Sequence, residues 1–366
     1  MDSDLSNAGH PEGAAPPGGP MLLPVASGKG GVGKSFLAAN LAIALAARGR
    51  RTILCDLDFG GSSLHRFLGL QNRHPGLSDF LCGHAESLQA LTVATRWEGL
   101  GFLPGDGWTP LLANLPGGKK AKLIRHLGRL AADLIVLDLG AGSSLNTLDF
   151  FGLNPAGLLV ATPDAVALTG MLVFLKNALH RRIEKRLSAL EEPALARLLR
   201  AEREQPLATQ AASLEEFADR IAARFPPAAA EIRSVCASLR PRVVLNRSRG
   251  EGEAERVRAA EQAMRHKLGL TPEICGWIPE DPGVGEALRR GRAYLDHAPG
   301  GRAAEAIHRL AARIDRGEDA RGAQAEDGLD RRLIRIPERP PAACRFPSRP
   351  ASPFGRALRI LRTLRP

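Results

Sequence analysis

A single tyrosine, Tyr294, and five cysteines with no C-x-x-C pair are all that this 366-residue chain offers of two reactive residue types. Cys55, Cys82, Cys236, Cys275 and Cys344 are scattered, which argues against a disulfide framework or a thiolate metal site and for free thiols in a reducing compartment. Residues 1–20 are mostly Gly, Pro, Ala and acidic, and they lack the basic start and apolar stretch of a secretion signal. No later segment runs to about 18 uninterrupted apolar residues, the length a spanning helix needs. A cytoplasmic protein is the expectation.

Composition then sets the scale. With 44% hydrophobic residues the chain can bury one large core or two modest ones. Its net charge of +11 is concentrated at one end: residues 331–366 hold ten arginines against Glu338 alone. The rest of the chain is nearly neutral, so nucleic-acid binding by the whole body is not implied.

Short apolar runs alternate with amphipathic stretches. Strands are expected at 21–27, 51–58, 101–105, 133–139, 157–163, 242–247 and 273–279, with helices such as 35–48 and 119–132 between them. Leu134-Ile-Val-Leu137 is apolar at consecutive positions, as a strand covered on both faces requires. The fold class is therefore α/β, a doubly wound and mostly parallel sheet. Pro24 falls inside the first strand and is expected at that strand's beginning, where it would not break the ladder. Residues 1–20 read as disordered and 21–314 as the core domain. Within it, 180–239 reads as a helical insertion broken at Pro193, Pro206 and Pro226-Pro227. Residues 315–352 read as a linker.

Gly28-Lys29-Gly30-Gly31-Val32-Gly33-Lys34-Ser35 satisfies G-x-x-x-x-G-K-[ST], after an apolar strand and before a helix. Glycines there let successive N–H groups turn toward phosphate oxygens at the positive end of the next helix. Lys34 is placed to neutralise the β and γ phosphates of ATP, and Ser35 to ligate Mg²⁺.

The extra Lys29 and the paired glycines behind it resemble the MinD/ParA group of deviant P-loop ATPases, over roughly residues 22–314. The resemblance implies an ATP-dependent homodimer in which Lys29 reaches the partner's nucleotide. Leu54-Cys-Asp-Leu-Asp-Phe-Gly60 is similar to the group's first switch, so Asp58 would orient the attacking water and Asp56 would join the magnesium shell. Leu137-Asp-Leu-Gly-Ala-Gly-Ser143 is similar to its second switch, with Asp138 meeting magnesium through water. Val244-Leu-Asn246 and Ile278-Pro-Glu-Asp281 resemble the adenine-side elements, with Asn246 as base reader. Gly140–Phe151 further resembles the MinD-like subgroup that includes FlhG, although the Asp-Gln-Ala activator segment of the flagellar members is absent from residues 1–20. Related iron–sulfur carriers need cysteine ligands, and related tyrosine kinases need a tyrosine cluster; neither is present.

At 100° per residue, Phe354, Ala357, Leu358, Ile360, Leu361 and Leu364 share one arc, with Arg356, Arg359 and Arg362 opposite and Arg365 within the apolar arc. This basic amphipathic segment, 353–366, stands where MinD carries its membrane-targeting helix. Four arginines would contribute roughly 4 kcal/mol near an anionic leaflet. The expectation is an ATPase switch with an unidentified activator, cycling between cytosol and membrane through Phe354–Pro366. Nonspecific DNA binding of ParA type and an ATP-dependent amidoligase remain the alternatives.

Overall fold

The computed structural model describes residues 18–59, 61, 63–71, 74–105, 115–188, 192–204 and 213–316. The segment before residue 18, most of the expected linker and the amphipathic stretch 353–366 lie outside the described residues.

Eight strands form one sheet: β1 Met21–Ala26, β2 Thr52–Leu57, β3 Val93–Ala94, β4 Leu100–Leu103, β5 Leu134–Leu139, β6 Leu158–Ala161, β7 Arg242–Ser248 and β8 Glu273–Pro279. Their order is β3-β4-β2-β5-β1-β6-β7-β8, and every pairing is parallel except β3 with β4. The expected mostly parallel sheet is what forms. All six residues of β2 and of β5 are buried, so unbroken apolar runs are what these strands need.

Helices join the strands. Up to β5 these are α1 Lys34–Ala46, α2 Leu64–Phe67, α3 Leu77–Cys82, α4 Leu88–Leu91 and α5 Gly117–Leu127. Next come α6 Leu145–Phe151 and α7 Ala165–Leu187, then α8 Pro193–Glu204, α9 Leu214–Ala222 and α10 Pro226–Ser238 before β7. The chain finishes with α11 Ala254–Leu268, α12 Pro282–Arg289, α13 Tyr294–His297 and α14 Arg302–Arg316. Pro193 and Pro226 open their helices, where a missing N–H costs nothing. Two apolar clusters flank the sheet, one including α1, α13 and α14 and the other α5, α7 and α10.

Pro24 corrects an expectation. It is the fourth residue of β1, paired with Leu137 of β5, and not the strand's first. The ladder survives because β6 begins to pair only at Val25. A Cβ on Gly157 would lie 3.1 Å from the Pro24 ring, so the ring fills the space just before β6 starts. On that same side Asn154 Nδ2 donates to the Leu22 carbonyl at 2.7 Å, supplying a bond that the short β6 does not. β3 was not expected; two residues are too few to show alternation.

Because β1 is flanked by β5 on one side and β6 on the other, the crossovers diverge at its carboxyl end. Ligands of such sheets bind at that crevice.

Candidate nucleotide site

From Ala26 the chain turns through Ser27–Gly33 and enters α1. Gly31 and Gly33 have φ of 81° and 85°, left-handed values that a Cβ would strain, so they permit the loop's curl. Gly28 serves a different need: a Cβ there would lie 2.0 Å from the Gly170 carbonyl oxygen of α7. Lys29 and Gly30 are exposed, whereas Val32 is buried. Ser27 Oγ, at the base of the loop, is buried and has no hydrogen-bond partner.

Lys34 points inward. Its Nζ donates to Asp138 Oδ1 at 2.6 Å and to Ser35 Oγ at 3.3 Å, and both charged side chains are buried. Burial raises the Asp138 carboxyl above the usual carboxylate range, and the Lys34 charge opposes that effect only in part. The loop after β5 is tied to the glycine-rich loop where the Gly142 N–H donates to the Ser27 carbonyl at 2.9 Å.

Asp56, the last residue but one of β2, stands directly opposite Asp138 of β5 in the parallel register. It is fully buried, and its Oδ1 accepts the Asp58 N–H at 3.1 Å, so the first aspartate fixes the backbone of the second. Gly105 packs against it, since a Cβ there would lie 3.1 Å from Asp56 Cγ. Asp58 turns toward the loop after β5: a Cβ on Gly140 would lie 3.3 Å from Asp58 Oδ1. The three aspartates and Lys34 are thus brought together at the ends of neighbouring strands.

Asn246 lies on β7 against the other flank of the loop. Its Nδ2 donates to the Val32 carbonyl at 2.8 Å, which commits the amide nitrogen to the loop and leaves Oδ1 as an acceptor. It lines a cavity of about 1010 Å³ together with Gly33, Phe36, Pro279 and Asp281. Asp281 is itself held by the Tyr294 hydroxyl, which donates to Oδ2 at 2.6 Å. Across the mouth, Arg247 and Arg249 both pair with Glu280.

These donors suit a nucleoside triphosphate with Mg²⁺. A serine hydroxyl and buried carboxylates are hard oxygen ligands, Lys34 carries the countercharge for phosphate, and the unpartnered Ser27 hydroxyl adds hydrogen-bonding capacity at the cradle. Sequence reading missed Gly170 and Gly105. An isolated glycine inside a helical pattern was the available signal for Gly170, because it marks close packing.

Residues 23–294 match the CobQ/CobB/MinD/ParA nucleotide binding domain. Among curated relatives, the flagellum site-determining protein YlxH of Helicobacter pylori is 32% identical over 161 residues, 43% of this chain and 54% of that protein. The antiactivator FleN of Pseudomonas aeruginosa is 30% identical over 157 residues, 42% of this chain and 55% of that protein. The chain thus spans about half the length of the curated relatives it matches. The septum site-determining protein MinD of Pyrococcus horikoshii, solved with Mg-ADP, superposes with a TM-score of 0.53 at 23% identity, covering 81% of this chain and 96% of that one. That likeness is one of fold. With the family match reaching from β1 to α13 and the glycine-rich loop and carboxylates assembled at the sheet's crevice, the chain belongs to the CobQ/CobB/MinD/ParA nucleotide-binding family.

Proposed function

We propose that the chain is an ATP-driven molecular switch: it binds and slowly hydrolyses ATP, pairs with a second copy when ATP is bound, and positions cellular machinery from a surface. The observation that carries this reading is the surround of Lys29. It is exposed at the rim of the loop, and beside the Gly28–Gly170 contact α7 presents Val166 at 61% and Val173 at 52% exposure. A charged lysine among exposed aliphatic side chains suits coverage by another copy. Asp164, which caps α7, is held below the usual carboxylate range by the Thr162 hydroxyl, the Ala167 N–H and the charge of Lys29, so Lys29 stands near the start of that helix.

In this reading Lys34 would neutralise the β and γ phosphates, while Ser35, Asp138 and Asp56 would hold Mg²⁺. Magnesium supplies charge neutralisation of the phosphates when bound. Asp58 orients the attacking water and accepts its proton, with Gly140 beside it to sense the γ phosphate. Asn246 meets the base through Oδ1. An activator protein would speed turnover, and residues 353–366 would hold the ATP dimer on an anionic membrane, two copies giving an avidity gain of roughly 10²-fold.

The test uses Lys29→Ala in an Asp58→Ala background. ATP should bind to both proteins, but light scattering should show a dimer only where Lys29 is kept; an equal dimer in both would refute the trans role. Deleting residues 353–366 should release the protein from phosphatidylglycerol vesicles. The arginine content of residues 331–366 supports a second reading, in which nonspecific DNA replaces the membrane. It takes over if the intact protein ignores vesicles but retards duplex DNA with steep salt dependence.

A further inference from the structure

Three helices that meet on one side of the sheet carry a charge unlike the rest of the body. α5, α6 and α7 hold nine Lys and Arg residues against only Asp149 and Glu184. Outside them, residues 1–330 are net negative. The positive charge is also focused. Asp149 of α6 is 3% exposed and accepts from Lys120 of α5 and from Arg181 Nε at 2.8 Å, with Lys185 Nζ also 2.8 Å away on α7. Three cations thus converge on one carboxylate, and even with Glu184, 3.8 Å from Arg181, the cluster keeps a net positive charge. Lys119 and Arg125 extend the basic surface along α5, both exposed.

One apolar feature adjoins this cluster. Leu145 stands four residues before Asp149, on the same face of α6, and is 59% exposed. An exposed leucine whose Cβ is about 6 Å from that of the residue on which the cations converge makes a composite surface: an apolar knob beside an excess of positive charge.

We propose that this α5–α6–α7 face docks an acidic amphipathic segment of a partner protein. Such a segment offers carboxylates to Lys119, Arg125 and Lys185 and an apolar side chain to Leu145. A polynucleotide would use the cations but gain little from the leucine. Docking here also touches the nucleotide machinery. α6 follows the second switch, its first turn is fixed where Ser144 Oγ accepts the Thr147 N–H at 3.1 Å, and the loop before it bonds to Ser27. The inference rests on the proposed ATPase switch only for that consequence; the binding itself needs no nucleotide.

The probe is a fluorescein-labelled 16-residue helical peptide with leucine and glutamate on adjoining faces, measured by anisotropy with the full-length protein. Its Gln-for-Glu analogue, a 25-base-pair duplex and phosphatidylglycerol vesicles serve as comparison ligands. Lys119→Glu with Arg125→Glu, and separately Leu145→Ser, should each weaken the acidic peptide by about tenfold or more, while Arg265→Glu, an exposed charge change on α11, should not. Lys185→Gln should weaken it too. ATP turnover without peptide should be unchanged in all of them, so a failure of the ATPase reading would register separately. Equal loss with Arg265→Glu, or equal affinity for the Gln analogue, overturns the proposal. So does an unaffected peptide alongside DNA or vesicle binding that depends on Lys119 and Arg125, which would assign the face to that ligand instead.

Discussion

Gly28 and Gly170 touch backbone to backbone, and the contact is asymmetric: a Cβ on Gly28 would strike the Gly170 carbonyl oxygen at 2.0 Å, whereas one on Gly170 would meet Gly28 O at 3.4 Å and Lys29 Cβ at 3.6 Å. The glycine-rich loop and α7, the longest of the described helices, therefore share a seam with no room on one side and ordinary packing on the other. Gly28→Ala should cost about 1–3 kcal/mol of stability through overpacking and lower ATP affinity by roughly tenfold or more. Gly170→Ala should fold normally and bind ATP as before, because alanine is favoured over glycine inside a helix by about 1 kcal/mol. Thermal unfolding and nucleotide titration of the two variants decide the matter; equal effects would contradict the geometry.

Lys34 and Asp138 neutralise one another in a buried site, so removing one strands the other. Lys34→Ala should lose about 3–5 kcal/mol of stability along with ATP binding. Adding Asp138→Asn should restore much of the stability and none of the binding. If denaturant melts show the double variant no more stable than the single, the pair is not what Lys34 contributes to the fold.

Asp58 faces Gly140 with its backbone held by Asp56. Asp58→Ala should bind ATP within a few-fold of the parent and hydrolyse it at least about 100-fold more slowly, the range for loss of a general base. Single-turnover hydrolysis with labelled ATP measures this directly. Parental rates would remove Asp58 from the chemistry.

Asp149 provides the pH dependence. Burial alone would raise its carboxyl, but hydrogen bonds from Arg181, Lys120 and Lys185 outweigh burial and hold it far below the usual carboxylate range. A group whose folded-state pKa is depressed adds stability above its unfolded pKa of about 3.9, and that stability is lost as pH falls toward the folded value. Asp149→Asn should therefore be destabilising at pH 7, by about 3 kcal/mol, with a gap from the parent that narrows below about pH 4. A gap that does not change between pH 7 and pH 3 would mean the carboxylate's charge is not the cause.

The residues legible in the sequence were those whose signal is local. The phosphate loop needs one uninterrupted run from Gly28 to Ser35, and β5 needs only a string of apolar residues buried on both faces. What stayed hidden depends on distant parts meeting. Asp149 lies 29 residues from Lys120 and 32 from Arg181, so its three-cation surround has no sequence signature. Asn246 was placed by motif on the base side, but the hydrogen bond to Val32 spans 214 residues and could be seen only in the fold. Pro24 was misjudged because strand rules count ladder bonds and the sequence does not show which neighbour begins late.

The two borders of the sheet have a bearing on assembly. On one side the last strand is β3, only two residues long and antiparallel. On the other is β8, whose pairing with β7 slips register twice and which ends in proline. Neither border presents a long, regular row of free amide and carbonyl groups, the template that runaway strand addition requires. Copies of this protein that associate should accordingly do so through side chains and not by extending the sheet. That favours closed assemblies over fibres.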